Sequence, residues 1–342
     1  MSKRMRIVTA LAVTSALALA ACGSASDTSG SGGSGSKNLS LVAFSVAKGP
    51  YDVLQKDFAA TPEGKGVTWQ SSYGASGDQS RAVEAGQKAD VVHFSLEGDV
   101  TRLVDKGLVA KDWDAGATKG IVTDSVVVFV VRKGNPKHIK TWDDLVKKDV
   151  GIVSPNPGSS GSARWNILAA YGHVLADGGS KADAKAYLTK FFENVKALPG
   201  SGREATTAFT GGTGDVLISY ENEAIAAKQG DTDVDYVIPD ETLLIENPAA
   251  VTTSAPKAAK DFLAYLLSDA GQKTFASKGF RPVVKGIDVK VEGANDPSDP
   301  FPTPAKLFTI TDTFGGWPKA NDEFFDEDHG IVPEVQKATG KN

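Results

Sequence analysis

Cysteine is almost missing from this 342-residue chain: Cys22 stands alone. A single thiol excludes a disulfide framework and any zinc site built from several thiolates. Long apolar runs are also missing, since the run at residues 7–20 is short and rich in Ala and Thr, which excludes a polytopic membrane protein. Positive charge is in deficit, with Lys+Arg 37 against Asp+Glu 42 and a net charge of −5, the wrong sign for gripping nucleic acid through general electrostatics. The histidines, His93, His138, His173 and His329, are scattered without ligand spacing, and the chain has no G-x-S-x-G elbow, H-E-x-x-H or Walker loop. These absences speak against an enzyme and imply no cofactor and no metal. What is present, 41% hydrophobic and 23% charged residues, is an ordinary globular composition, and the length suggests about two domains.

Residues 1–21 combine a basic start (Lys3, Arg4, Arg6) with that apolar run and read as a secretory signal. They end in Leu19-Ala20-Ala21-Cys22-Gly23, which resembles the bacterial lipobox, where the cysteine is acylated and becomes the first residue of the mature protein. Residues 23–37 are nearly all Gly and Ser and read as a flexible leash, so that residues 22–37 form a lipidated linker. The expected location is the extracytoplasmic face of the cell membrane, lipid-anchored. Loss of the three cations with the signal takes the net charge from −5 to −8. Any anion bound by the mature protein must then be held by local groups.

From residue 39 onward, strand-like runs alternate with amphipathic stretches, the signature of an α/β fold with substantial parallel sheet. Strands are expected at 39–44, 67–72, 89–94, 125–132, 151–154, 215–219 and 235–238. Helices are expected at 50–59, 100–106, 181–195, 257–267 and 269–278, with Ser180 capping the third. Residues 297–342, rich in Pro, aromatics and acids, read as one short helix and loops.

Three glycine and serine clusters each follow a strand and precede a helical pattern: residues 73–79 (YGASGDQ), 155–165 (PNPGSSGSARW) and 200–203 (GSGR). A helix start leaves N–H groups without partners and carries the positive end of the dipole, so glycine-rich turns there make natural oxyanion sites. In the first cluster, Ser76 and Gln79 also have capping-box spacing, so that hydroxyl has a competing role in its own helix. Arg203 and Arg164, one after each of two turns, are placed to offset an anion's charge.

Residues 73–80 (YGASGDQS), 129–136 (FVVRKGNP), 155–166 (PNPGSSGSARWN), 214–224 (GDVLISYENEA) and 306–317 (KLFTITDTFGGW) resemble the sulfate-binding proteins of sulfate ABC importers, in that family's order. The resemblance implies a two-lobed type II periplasmic-binding-protein fold with two crossover hinge strands, near residues 125–131 and 248–253. Lobe 1 would be 38–126 plus 249–342, and lobe 2 would be 127–248. It also implies sulfate contacts from the N–H of Ser45, the hydroxyls of Ser76 and Ser160, the N–H groups of Gly161, Ser162 and Gly202, and the side chain of Tyr220. Partners would be sulfate, an ABC permease with its ATPase, and the membrane through the lipid anchor; the protein would act as a monomer. Departures from the family pattern stand at Ser45-Val46 (usually Asp-Pro), Ser162 (usually Gly), Tyr220 (usually Trp) and Asp78 (commonly Lys, here expected to point to solvent).

A pocket of Ser, Gly and Tyr donors without a carboxylate suits sulfate, whose oxygens only accept. Monohydrogen phosphate would leave its proton stranded, at roughly 1–3 kcal/mol. Thiosulfate, phosphate and molybdate remain the alternative ligands. A non-transport interaction lipoprotein on the same scaffold is the alternative of a different class.

Overall fold

The structure is a computed structural model and describes residues 37–341; the expected signal segment, Cys22 and nearly all of the linker lie outside the described residues. The strands are β1 (Asn38–Phe44), β2 (Thr68–Gly74), β3 (Val91–His93), β4 (Ile121–Arg132), β5 (Ile152–Val153), β6 (Val195–Ala197), β7 (Val216–Tyr220), β8 (Val234–Val237), β9 (Glu241–Val251) and β10 (Lys306–Phe308). They pair in the order β2-β1-β3-β9-β4-β7-β5-β6, with β8 beside β4 and β10 beside β9. Strands β2, β1 and β3 are parallel, as are β7, β5 and β6, whereas β9 and β4 join them antiparallel. The buried run Leu39–Phe44 fits parallel sheet covered on both faces, and Val126–Val131 of the antiparallel β4 is buried as well because that strand runs through the centre of the sheet.

Two long strands tie the two parallel groups together. Residues 121–126 of β4 pair with β9, whereas its residues 127–132 pair with β7 and β8. Strand β9 pairs with β4 up to Pro248 and passes to β3 at Ala249. Proline lacks the N–H that a central strand needs, which is why residues 241–247 did not read as a strand. At a change of partner that donor is not required.

The other expected strands are all present, with ends shifted by a few residues. The C-terminal expectation needs correction: residues 297–341 hold β10 and the helical segments Ile310–Phe314, Trp317–Ala320, Asn321–Phe325 and Ile331–Thr339. Gly315, at φ 76°, ends the first of these and Pro318 sits in the first turn of the next, so the first three are too short to show helical periodicity, whereas Ile331–Thr339 runs for nine residues. Phe324 is buried there and anchors the acidic run 322–328. Residues 37–341 form one compact unit. Among the described residues no helix is long and apolar enough to cross a membrane.

Asp124 on β4 lies directly opposite Glu246 on β9. Its Oδ1 is buried without a hydrogen bond, and burial, then Glu246, push its carboxyl up to about 8 against the pull of Arg281. A carboxyl raised in the folded state is protonated there while the unfolded chain has already lost its proton, so stability falls as pH rises from about 4 to about 8. Asp124→Asn is expected to melt higher than wild type at pH 8, by about 2–4 °C per kcal/mol relieved. The gain should shrink toward pH 5. A gain independent of pH in thermal unfolding would refute this assignment.

Candidate functional site

The carboxyl ends of the parallel strands converge, as expected for ligand sites in α/β sheets. Phe44 closes β1 and Ser45 follows it, Gly74 closes β2 and Ala75-Ser76 follow it, Ser95 follows β3, Ser160-Gly161-Ser162 follow β5 and Gly202 follows β6. Together these residues line one small, tightly closed pocket, and no carboxylate is among them. The structure thus brings together six of the expected contact residues, Ser45, Ser76, Ser160, Gly161, Ser162 and Gly202. The seventh, Tyr220, closes β7 one residue behind the lining.

Ser160 shows how the local sequence prepares the cavity. It is the N-cap of the helix Gly161–Ala176, yet its hydroxyl does not cap that helix. Elsewhere in the chain Ser180, Ser201, Ser268 and Thr309 do what N-cap hydroxyls usually do and accept an N–H of their own first turn. At Ser160 the hydroxyl and the opening N–H groups of Gly161 and Ser162 are left for a common acceptor. Gly202 opens the helix Gly202–Thr210, where the Ser201 hydroxyl is spent on the Glu204 N–H and only the backbone is offered. The helix Gly161–Ala176 is buried on nearly every side through His173, so its N-terminal end is held fixed under the cavity.

Space is short at both glycines, most of all at Gly161. A Cβ at Gly161 would lie 2.5 Å from Ser95 Oγ and 2.6 Å from Ser95 Cβ, and one at Gly202 would lie 2.9 Å from Ser162 Oγ and 3.2 Å from Val46 Cγ2. Contacts across the cleft hold the two strand groups together: the Gly77 N–H donates to Ser159 O at 3.2 Å, and Trp165 Nε1 donates to Ser95 O at 2.9 Å.

Ser76 behaves differently from the expectation of a capping or ligand-facing hydroxyl. Ala75, not Ser76, is the N-cap, and Gln79 receives the Ser72 hydroxyl instead. The Ser76 hydroxyl donates to Asp99 Oδ2 at 2.6 Å and accepts the Ser95 N–H at 2.8 Å. With its one proton on Asp99, Ser76 orders the wall of the cavity in this arrangement and reaches an anion only by releasing that carboxylate.

Ser95 and Asp99 are the residues that sequence reasoning missed. Ser95 stands in a strand-to-helix turn like the others, but without a neighbouring glycine, so it carried no signal. It is fully buried, and its Oγ lies 2.6 Å from the Tyr220 hydroxyl. Burial pushes the Tyr220 phenol well above its usual range, while hydrogen bonds from Ser95, Ser162 and Asn247 pull the other way. Tyr220 is therefore neutral. Each hydroxyl of the Tyr220–Ser95 pair has one proton, so one serves their mutual bond and the other is left to donate.

The two flanking arginines are not equivalent. Arg203 pairs with buried Glu223 at 2.7 Å, and Thr206 completes that carboxylate's shell. Arg164, in the first turn of the helix that opens at Gly161, donates to Pro157 O at 3.3 Å and Asn321 Oδ1 at 2.7 Å. Asp78 is exposed and paired with Arg81, away from the cavity. His329, which read as isolated, sits on the surface between Asp326 at 2.7 Å and Asp322 at 3.4 Å.

Comparison with known proteins bears on the family. Residues 39–281 match the family model described as bacterial extracellular solute-binding protein. A sulfate-binding protein of Synechococcus elongatus is 40% identical over 340 residues, covering 96% of this chain and 95% of its own length. A thiosulfate-binding protein of Pseudomonas aeruginosa is 37% identical, covering 80% and 83%. The solved structure of the sulfate-binding protein SubI from Mycobacterium tuberculosis H37Rv superposes with a TM-score of 0.79 at 46% identity, over 84% of this chain and 99% of that one. The chain therefore belongs to the bacterial extracellular solute-binding proteins, and within them to the sulfate-binding protein family.

Proposed function

We propose that this protein is a lipid-anchored extracytoplasmic receptor that captures sulfate between two lobes and hands it to an ABC permease driven by its ATPase. The observation that supports this most is the Ser160 turn: an N-cap hydroxyl and the first N–H groups of a long buried helix, all without partners in that helix, facing a carboxylate-free cavity. The lobes are residues 38–126 with 249–342, and 127–248, hinged where β4 and β9 change partners. The ion would be held by N–H groups of Ser45, Gly161, Ser162 and Gly202, the Ser160 hydroxyl and the Tyr220–Ser95 pair. Ser76 would assist, and Arg164 would offset charge behind the helix start. Closure is driven by the ion's preference for the closed form, and no chemistry is done on it. An interaction protein has no reason to keep three donor turns converged.

Each hydrogen bond to a charged group contributes about 1.5–3 kcal/mol. Ser160→Ala is therefore expected to weaken sulfate binding about 10- to 100-fold in calorimetry, with one ion per chain in the wild type. Phosphate should bind far more weakly than sulfate. Thiosulfate, which like sulfate only accepts hydrogen bonds, is the second candidate, favoured by the thiosulfate-binding relative. Equal affinity of Ser160→Ala and wild type would sink the site; tighter binding of phosphate or molybdate would overturn the ligand. The tether is tested alongside, since Cys22→Ala should leave affinity unchanged and move the protein out of the membrane fraction.

A further inference from the structure

Beside the cavity, and sharing Ser160 and Gly161 with it, lies a cleft walled by three guanidinium groups from three different helices. Arg81 belongs to the helix Ser76–Glu84, Arg102 to Glu97–Asp105 and Arg164 to Gly161–Ala176. The same three arginines line the open groove outside it, where Glu327 is the one carboxylate, as Asp99 is inside. Two of them have carboxylate partners: Arg81 pairs with exposed Asp78, and Arg102 with Asp99 at 3.2 Å and Glu84 at 3.6 Å. Arg164 alone of the three has none among the described residues. It is half-buried, stacks over the Phe325 ring at 4.7 Å and donates only to the uncharged acceptors Pro157 O and Asn321 Oδ1. A half-buried cation without a counter-ion, facing two more of its own sign, is a costly arrangement unless an anion completes it. Burial and the proximity of Arg102 and Arg81 all disfavour its charged form, with Asp99 opposing.

We propose that the cleft between Arg81, Arg102 and Arg164 is a second, loose binding site for divalent oxyanions, where the ion is first captured before it passes to the Ser160 cavity. The inference rests on the oxyanion-receptor reading above and extends it from affinity to rate. It resolves a conflict of signs, because a chain of net charge −5 repels sulfate at long range, while a cleft of locally positive sign attracts it. The two possibilities differ in their response to salt. If net charge governs the approach, screening speeds association; if the arginine cleft governs it, screening slows it.

The test is stopped-flow tryptophan fluorescence of the full chain with potassium sulfate, at ionic strengths set with sodium chloride. The wild type is expected to associate more slowly as salt rises. Arg81→Glu, a change outside the cavity lining, should cut the low-salt association rate by about tenfold and flatten the salt dependence, with the dissociation rate unchanged. Arg81→Lys should restore both. Association that accelerates with salt in the wild type, or an Arg81→Glu effect confined to dissociation, overturns the proposal while sulfate binding itself stands. Absence of sulfate binding by the wild type in calorimetry would overturn the receptor reading and this inference together.

Discussion

Gly161→Ala is expected to lower sulfate affinity by about a hundredfold or more. The added methyl carbon would sit 2.5 Å from Ser95 Oγ, 2.6 Å from Ser95 Cβ and 3.0 Å from Leu96 Cγ, so something must move. Ser95 has little freedom: its Oγ holds Tyr220, its N–H holds Ser76, and its carbonyl accepts from Trp165 and Asn247. Either that network breaks or the helix start withdraws, taking the N–H groups of Gly161 and Ser162 with it. Two lost bonds at about 1.5–3 kcal/mol each account for the expected loss. Gly202→Ala should be milder, because its nearest obstacle is the Ser162 hydroxyl, a side chain that can rotate. Calorimetry on both variants, with ligand-free thermal unfolding to confirm folding, checks the order. Wild-type affinity in Gly161→Ala would remove this helix start from the site.

The second large effect concerns stability. Arg281 meets Glu221 through two bonds, Nε to Oε2 at 2.6 Å and Nη2 to Oε1 at 3.0 Å, and also donates to the carbonyls of Phe301 and Pro302. Glu221 is fully buried. Arg281→Met leaves that carboxylate uncompensated and is expected to destabilise by about 3–5 kcal/mol, a drop in melting temperature of about 10 °C. Burial already pushes the Glu221 carboxyl up and Arg281 pulls it down, so the variant's carboxyl rises further. A carboxyl raised in the folded state loses stability as pH increases, so the deficit should be larger at pH 8 than at pH 5. Adding Glu221→Leu should recover much of the loss. A pH-independent deficit that the double variant does not relieve would mean that packing, not charge, sets the role of Arg281. Because Tyr220 precedes Glu221, sulfate affinity in Arg281→Met reports whether the same pair positions the hydroxyl.

The glycine and serine turns were legible in the sequence because their chemistry is local: a helix start needs only its own first residues to present N–H groups. What stayed hidden depends on residues distant in the chain. The Ser95–Tyr220 bond joins positions 125 apart, and Asp99 accepts the Ser76 hydroxyl's hydrogen bond from a different helix. No spacing rule reports either. Arg164 and Arg203 looked alike as cations after donor turns, and only the packed neighbours, Asn321 for one and Glu223 for the other, separate them. Strand β9 was concealed by Pro248, a residue that local rules exclude from central strands and that partner switching admits. The helical segments between Ile310 and Phe325 are hidden because each is ended by a glycine or crowded by its neighbour before a second turn can reveal a period, whereas Ile331–Thr339 is long enough to show one.

The passage of β9 from β4 to β3 also imposes an order on biosynthesis. Strands β5 to β8 and the part of β4 that they join come from one uninterrupted stretch, residues 127–237, and can pair as soon as it is made. The group β1, β2 and β3 precedes that stretch yet lacks its last neighbour until residues 249–251 arrive. Until then β3 presents a bare edge, the feature by which partly folded chains stick to one another. A nascent polypeptide stopped near residue 240 would therefore hold both glycine-opened helices and Tyr220 and still be prone to aggregate.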